Sequence, residues 1–270
     1  MPELPEVEVT RRGIEPTLLG RRLASADFRR PDLRYPLPCA EVAQLTGQRL
    51  LAVKRRGKYL LLDFATGHLL IHLGMSGSLR LVPRTLPPEK HDHVDLVFGD
   101  TILRMRDPRR FGAMLWLAGD PMKHPLLGVL GIEPLEQEFT ARWLRSVLTG
   151  LKAAIKPTLM DGHRVVGIGN IYASESLFRA GIDPRVAAGR VSLKRLERLV
   201  PVIKATLAAA IEAGGSSLRD FIQSDGSSGY FQQQYFVYGR TGQPCRVCGT
   251  PIRELHQGQR ATFYCPRCQR

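Results

Sequence analysis

The sequence lacks any apolar run approaching the roughly 20 residues that cross a bilayer as a helix, so a helical membrane anchor is not expected. It has no G-K-[ST] phosphate loop, which excludes P-loop nucleotide chemistry. It has no internal repeat and no low-complexity tract. The start, Met1-Pro2-Glu3-Leu4-Pro5-Glu6, lacks the basic-then-apolar layout of a signal peptide, and the expected compartment is the cytoplasm. Acidic residues are scarce: 25 Asp and Glu stand against 39 Lys and Arg, a net charge of +14. A surface that basic favours a polyanion, nucleic acid above all. Hydrophobic residues make up 43% and charged residues 24%, an ordinary balance that excludes wholesale disorder. A chain of 270 residues is long enough for two compact domains.

Cysteine is also scarce, with five in the chain, yet four fall in two pairs, Cys245-x-x-Cys248 and Cys265-x-x-Cys268, separated by sixteen residues. That is the spacing of a four-thiolate zinc site. Four thiolates close a tetrahedral shell and leave no open position, so the expected metal organises the fold and activates no water. Redox pairs or disulfides are the alternative, which a reducing compartment disfavours. Cys39 stands alone and is expected to be a buried small hydrophobe. Between the pairs, Thr250–Leu255 and Arg260–Tyr264 read as a hairpin turning at Gln257-Gly258. Residues 240–270 carry six arginines and one acid. A metal-held hairpin with arginine near its tip suits contact with a nucleic-acid backbone.

Upstream, residues 5–19 predict a helix, with Pro5 in its first turn and Gly20 at its stop. Short Val-, Leu- and Ile-rich segments follow, punctuated by Gly and Asp: 49–55, 59–64, 68–73, 78–82, 94–98, 102–105 and 113–117. Many short strands without intervening helices predict a sandwich or barrel. Residues 131–138 read as a linker. Helices are then expected over 140–148, near 151–159, and over 170–180 and 192–213, with a kink or break at Pro201. Gly167-Ile168-Gly169-Asn170-Ile171-Tyr172 is not a dinucleotide loop, because Tyr172 occupies the third glycine position. A tight turn offering Asn170 and backbone N–H groups to a phosphate fits better. Ser224–Gly229 reads as a mobile loop or lid.

Three stretches together resemble the formamidopyrimidine-DNA glycosylase family: Pro2-Glu3-Leu4-Pro5-Glu6-Val7-Glu8, the run from Met160-Asp161 through Gly167-Ile168-Gly169-Asn170-Ile171-Tyr172-Ala173-Ser174-Glu175, and the four-cysteine finger with Gln259-Arg260-Ala261-Thr262-Phe263-Tyr264. The resemblance spans residues 2–270. It implies an α+β fold: an N-terminal catalytic β-sandwich with a flanking helix (2–132), a linker (133–139), a helix–two-turn–helix domain (140–235) and a β-hairpin zinc finger (236–270).

The resemblance also implies roles. The nucleophile is the amine of Pro2, freed when Met1 is removed, with Glu3 as general acid/base, Glu6 orienting the amine or a water, and Lys58 and Arg260 assisting elimination. His72, His91, Arg110, Lys152 and Asn170 contact DNA. Met75 and Phe111 fill the stack once the damaged nucleotide leaves it, with Arg110 beside the orphaned base. Residues 217–230 close over that base. Cys245, Cys248, Cys265 and Cys268 bind one structural Zn²⁺. The implied partner is damaged duplex DNA, met by a monomer with no nucleotide cofactor. Without the resemblance, the residues alone leave open a DNA-binding module that catalyses nothing.

Overall fold

A computed structural model describes residues 1–216 and 231–270; the expected lid over 217–230 lies outside the described residues. The chain forms two compact units. One comprises Met1–Val129 with the described part of Ala213–Gln232, and the other Leu130–Glu212 with Gln233–Arg270.

The first unit opens with helix α1 (Leu4–Leu18). Two four-stranded antiparallel sheets follow. One runs in the order β1 (Ser25–Phe28), β6 (Asp92–Phe98), β7 (Thr101–Arg106), β5 (Ser78–Pro83). The other runs β2 (Ala52–Arg56), β3 (Tyr59–Phe64), β4 (Gly67–His72), β8 (Ala113–Leu117). Alternation decides which face is buried. Leu60, Leu62, Leu69 and Ile71 of one sheet share a core with Val94, Leu96, Leu103 and Met105 of the other, and α1 adds Val7, Ile14 and Leu18. The opposite face of the β5–β7 sheet keeps a small cluster of Val82, Val97 and Ile102. The sandwich expectation therefore holds. Short α2 (Cys39–Ala43) and α3 (Pro125–Gly128) fill connections. Cys39 is exposed, contrary to expectation; it begins α2, and Val42 takes the buried position one turn later.

The second unit is helical. It contains α4 (Ala141–Leu148), α5 (Ile155–Leu159), α6 (Asn170–Arg179) and α7 (Leu193–Glu212), and ends in a hairpin of β9 (Arg253–Gln257) and β10 (Arg260–Tyr264). Residues of the expected linker are bound into this unit, where Ile132 pairs with Val165. Of the kink or break expected at Pro201, the break is absent, since α7 runs through it as one helix. Pro201 is exposed, so the lost backbone hydrogen bond falls on the solvent side while Leu199, Val200 and Ile203 hold the buried side. The finger's hairpin turns at residues 258–259, with Gly258 at φ +60°, one residue later than expected. Among the described residues no helix is long and apolar enough to cross a membrane.

Candidate active site and nucleic-acid interface

In the first unit the chain start is buried. Pro2 is covered and Glu3 is 3% exposed. Glu3 is the N-cap of α1, and its backbone N–H donates to Oε2 of Glu6 at 2.9 Å. That bond satisfies one of the donors a helix start leaves open. Oε1 of Glu6 accepts the backbone N–H (2.9 Å) and hydroxyl (2.6 Å) of Ser216. Ser216 adjoins Gly215, at φ +79°, where an added Cβ would lie 3.3 Å from Glu6 Cγ.

Lys58 occupies the second position of the two-residue turn joining β2 and β3, and Gly57 at φ +56° takes the first, as a tight hairpin turn demands. His72 ends β4 opposite Tyr59, and the two rings lie 4.8 Å apart. Burial, then the positive charges of Lys58 and Arg34, press the His72 imidazole down to about 4. It is therefore neutral near pH 7. Its Nδ1 accepts the Gly74 N–H at 3.0 Å, which puts its proton on Nε2.

Met75 sits half-buried in the short loop Leu73–Gly77, closed by the Gly77 N–H on the Leu73 carbonyl (2.8 Å). Phe111 is 47% exposed, with the Arg109 guanidinium 5.1 Å from its ring centre. Phe111 is thus largely outside the core, and Met75 only partly within it. Arg110 is exposed and His91 half-buried. The first unit thus brings Lys58 and His72 together at one sheet end, with the Met75 and Phe111 loops adjoining: Gly74 lies against the Phe111 backbone.

In the second unit, two turns separate α5 from α6, one at residues 161–165 and one through Gly167 at φ +81°. Asn170 is the first residue of α6. Lys156, which sequence reasoning missed, is 1% exposed. Its Nζ donates to Asn170 Oδ1 (2.5 Å), the Ala261 carbonyl (2.9 Å) and Thr262 Oγ1 (2.7 Å). With its donors used in this way the side chain is held in place, and it links α6 to β10. Arg260, exposed at the start of β10, shares a small pocket of about 170 Å³ with Lys156 and Gln257. Lys152 is exposed and lines a different cavity, of about 500 Å³, with Arg190.

Glu175, also on α6 and fully buried, accepts the backbone N–H groups of Phe236, Val237 and Tyr238 at 2.9–3.1 Å. These bonds hold the chain entering the finger. The sequence motif contains Glu175 but gives no sign of this work, because its partners lie about 60 residues downstream.

The ligand atoms of Cys245, Cys248, Cys265 and Cys268 all lie within 4.8 Å of one another. The Sγ atoms of Cys245 and Cys268 are 3.9 Å apart, and those of Cys248 and Cys265 3.5 Å. A tetrahedral ion with metal–sulfur bonds of ~2.3 Å needs sulfurs about 3.8 Å apart, so the four thiolates fit a structural metal ion. The Thr250 hydroxyl and N–H on Cys248 press that thiol down to about 6, whereas burial pushes the Cys265 and Cys268 thiols up. Cys245 and Cys265 also join Phe178, Val237, Ile252 and Phe263 in one apolar cluster, so metal site and core stand together.

Comparison with known proteins agrees with this geometry. The formamidopyrimidine-DNA glycosylase N-terminal domain matches residues 1–114, the H2TH domain of the same enzyme 130–222, and a zinc finger found in FPG and IleRS 242–270. A formamidopyrimidine-DNA glycosylase of Aromatoleum aromaticum is 61% identical over 270 residues, the whole of both chains. The crystal structure of the MutM (FPG) protein of Thermus thermophilus superposes with a TM-score of 0.89 at 39% identity, covering 99% of this chain and 98% of that one. A variant of the Lactococcus lactis protein, in complex with DNA containing Fapy-dG, gives a TM-score of 0.92 at 34% identity over 99% of each chain. The chain belongs to the formamidopyrimidine-DNA glycosylase family.

Proposed function

We propose that the protein is a bifunctional DNA glycosylase and abasic-site lyase of base excision repair. Its substrates are oxidised purines, 8-oxoguanine and formamidopyrimidines, in duplex DNA. The observation that carries this reading is the buried start of α1, where Glu3 adjoins Pro2 and is itself held by Glu6.

With Met1 removed, the Pro2 nitrogen is a secondary amine. An α-amino group has an ordinary pKa of roughly 7.7–8.0, so a useful fraction is neutral near pH 7 and can attack. The nitrogen bonds to C1′, the glycosidic bond breaks, and the base leaves with a proton. Glu3 protonates the sugar ring oxygen, the ring opens, and the nitrogen lone pair forms an iminium. Removal of a C2′ proton then breaks the C3′–O bond. A second elimination breaks the C5′–O bond, and water hydrolyses the iminium to restore the amine. Lys58 and Arg260 assist the eliminations by holding the departing phosphates.

The damaged nucleotide must leave the stack before C1′ is reachable. Met75 and Phe111 fill the gap, and Arg110 meets the orphaned base. His72, His91, Lys152 and Asn170 hold the backbone. His72, being neutral, donates from Nε2 as a dipole rather than a cation. The four cysteines would hold a structural zinc ion, which would shape the arginine-bearing hairpin rather than take part in the reaction. The protein acts as a monomer without a nucleotide cofactor, and its bacterial relatives support a cytoplasmic role.

Borohydride trapping tests the reading. With 8-oxoguanine duplex, a covalent protein–DNA adduct is expected, and far less with undamaged duplex. Binding without an adduct would identify a module that catalyses nothing. Stronger trapping on thymine glycol would move the substrate class to oxidised pyrimidines.

A further inference from the structure

Among the described residues, two other than glycine have left-handed backbone: His91 at φ +78° and Arg110 at φ +59°. Such conformations persist where their surroundings hold them. Both are tied to one residue. Asp107 donates its N–H to the His91 carbonyl (3.0 Å), and its own carbonyl accepts the Arg110 N–H (3.3 Å). That carbonyl also lies 2.9 Å from Nε2 of His93. A carbonyl only accepts, so the His93 proton is on Nε2.

The Asp107 side chain is fully buried. Its Oδ1 accepts the Ser76 hydroxyl (2.9 Å) and the Arg109 N–H (3.3 Å), and its Oδ2 accepts the Gly112 N–H (2.7 Å). The Ser76 oxygen in turn accepts the Arg109 N–H at 3.2 Å. Ser76 follows Met75, and Arg109 and Gly112 bracket Arg110 and Phe111. One carboxylate therefore binds both projecting loops. The loops are also packed against sliding. A Cβ on Gly74 would lie 2.4 Å from the Phe111 carbonyl carbon, and one on Gly112 would lie 2.9 Å from Asp107 Oδ2.

We infer that Asp107 and Ser76 are positioning residues that join the Met75 loop and the Arg110–Phe111 loop into one insertion unit and fix His91 beside it. The inference rests on the proposed reading of Met75, Arg110 and Phe111 as the residues that replace the extruded nucleotide. Two independently mobile loops would each have to be ordered during insertion. Loops already bonded to one buried carboxylate enter the stack together, with less ordering left to do on binding.

The test uses the full chain and a duplex carrying 8-oxoguanine next to 2-aminopurine, whose fluorescence reports unstacking in stopped flow. In the otherwise native chain, Met75→Ala and Phe111→Ala are each expected to slow unstacking about ten-fold. Together they should slow it little further, because one broken unit is not broken twice. Ser76→Ala should slow unstacking by a similar factor, and in its background the two truncations should become nearly multiplicative. Asp107→Asn should behave alike; if it fails to fold, Ser76→Ala carries the test. A merely structural role would lower the melting temperature without changing the coupling between the truncations. Slowing without loss of that coupling therefore overturns the inference. So do native rates in Ser76→Ala where the truncations do slow unstacking, and in that case the wedge reading survives. If the truncations themselves have no effect, the wedge reading fails and the inference with it.

Discussion

Ser216 donates both its backbone N–H and its hydroxyl to a single oxygen of Glu6, 210 residues earlier in the chain. The other oxygen of that carboxylate holds the backbone N–H of Glu3. Glu6 is fully buried and faces donors on both sides. Its carboxylate therefore fixes the chain start and the residue that leads into 217–230 with one group.

Glu6→Gln tests that arrangement. An amide brings its own N–H₂ to a place where donors already converge, leaving a buried donor unmatched. The cost is about 1–3 kcal/mol, read as a lowered urea midpoint with unchanged slope. Borohydride trapping on lesion duplex should slow by about ten-fold or more, since one acceptor oxygen must now serve donors from both Glu3 and Ser216. Unchanged trapping would separate Glu6 from the chemistry.

Lys156→Met replaces the buried ammonium by a side chain of similar length that cannot donate. Asn170 Oδ1, the Ala261 carbonyl and Thr262 Oγ1 each lose this donor. Leaving buried acceptors without their donor costs about 1–3 kcal/mol. Denaturant unfolding should show that loss. Duplex affinity should fall as well, because Asn170 and the strand bearing Arg260 lose their common tether. Native affinity in a destabilised Lys156→Met would contradict the positioning role.

How much of this was legible in the sequence follows from how far each signal reaches. The finger could be read because four thiolates at fixed spacing have few other uses. The strands 59–64 and 113–117 were read at their observed bounds because a run of apolar residues and flanking glycines are local features. The strand Ser25–Phe28 was missed: four residues of modest hydrophobicity pair only because β6 is there to receive them. Lys156 and Asp107 were missed for a related reason. In sequence, one is a lysine in a basic stretch and the other an aspartate in a turn. Their importance comes from burial and from partners as distant as 106 and 31 residues away. Cys39 misled in the opposite sense, since composition favours burial and local helix phase left it outside.

Cys245→Ser removes one of four metal ligands. Structural metal binding is itself folding free energy, so the variant should release metal, measurable by elemental analysis. The hairpin should lose its fixed shape, although Glu175 still anchors residues 236–238. Losing contacts worth roughly 2.8 kcal/mol in total corresponds to about a hundred-fold weaker duplex binding. Tight binding by a metal-free variant would contradict the structural role of the ion.

His72 supplies a pH signature. Its folded pKa of about 4 lies below the ordinary 6.5, because burial and then Lys58 and Arg34 disfavour the cation. The unfolded chain therefore binds the proton more readily. The stability contributed by neutral His72 is complete above pH 6.5 and is lost progressively as pH falls toward 4. The full swing is on the order of 3 kcal/mol. Stability compared at pH 7.5 and 4.5 should fall more steeply in the native chain than in His72→Gln. Imidazole NMR should show His72 neutral at pH 5.5; a titration centred near 6.5 would contradict the burial argument.

The central claim is that a freed proline nitrogen at residue 2 bonds to the deoxyribose. Mass spectrometry of the borohydride-reduced adduct on 8-oxoguanine duplex tests it most directly. The account predicts a protein lacking Met1, with the sugar remnant on the nitrogen of Pro2. A remnant mapped to Lys58, Lys156 or any other internal side chain, or an active protein still carrying Met1, would contradict it.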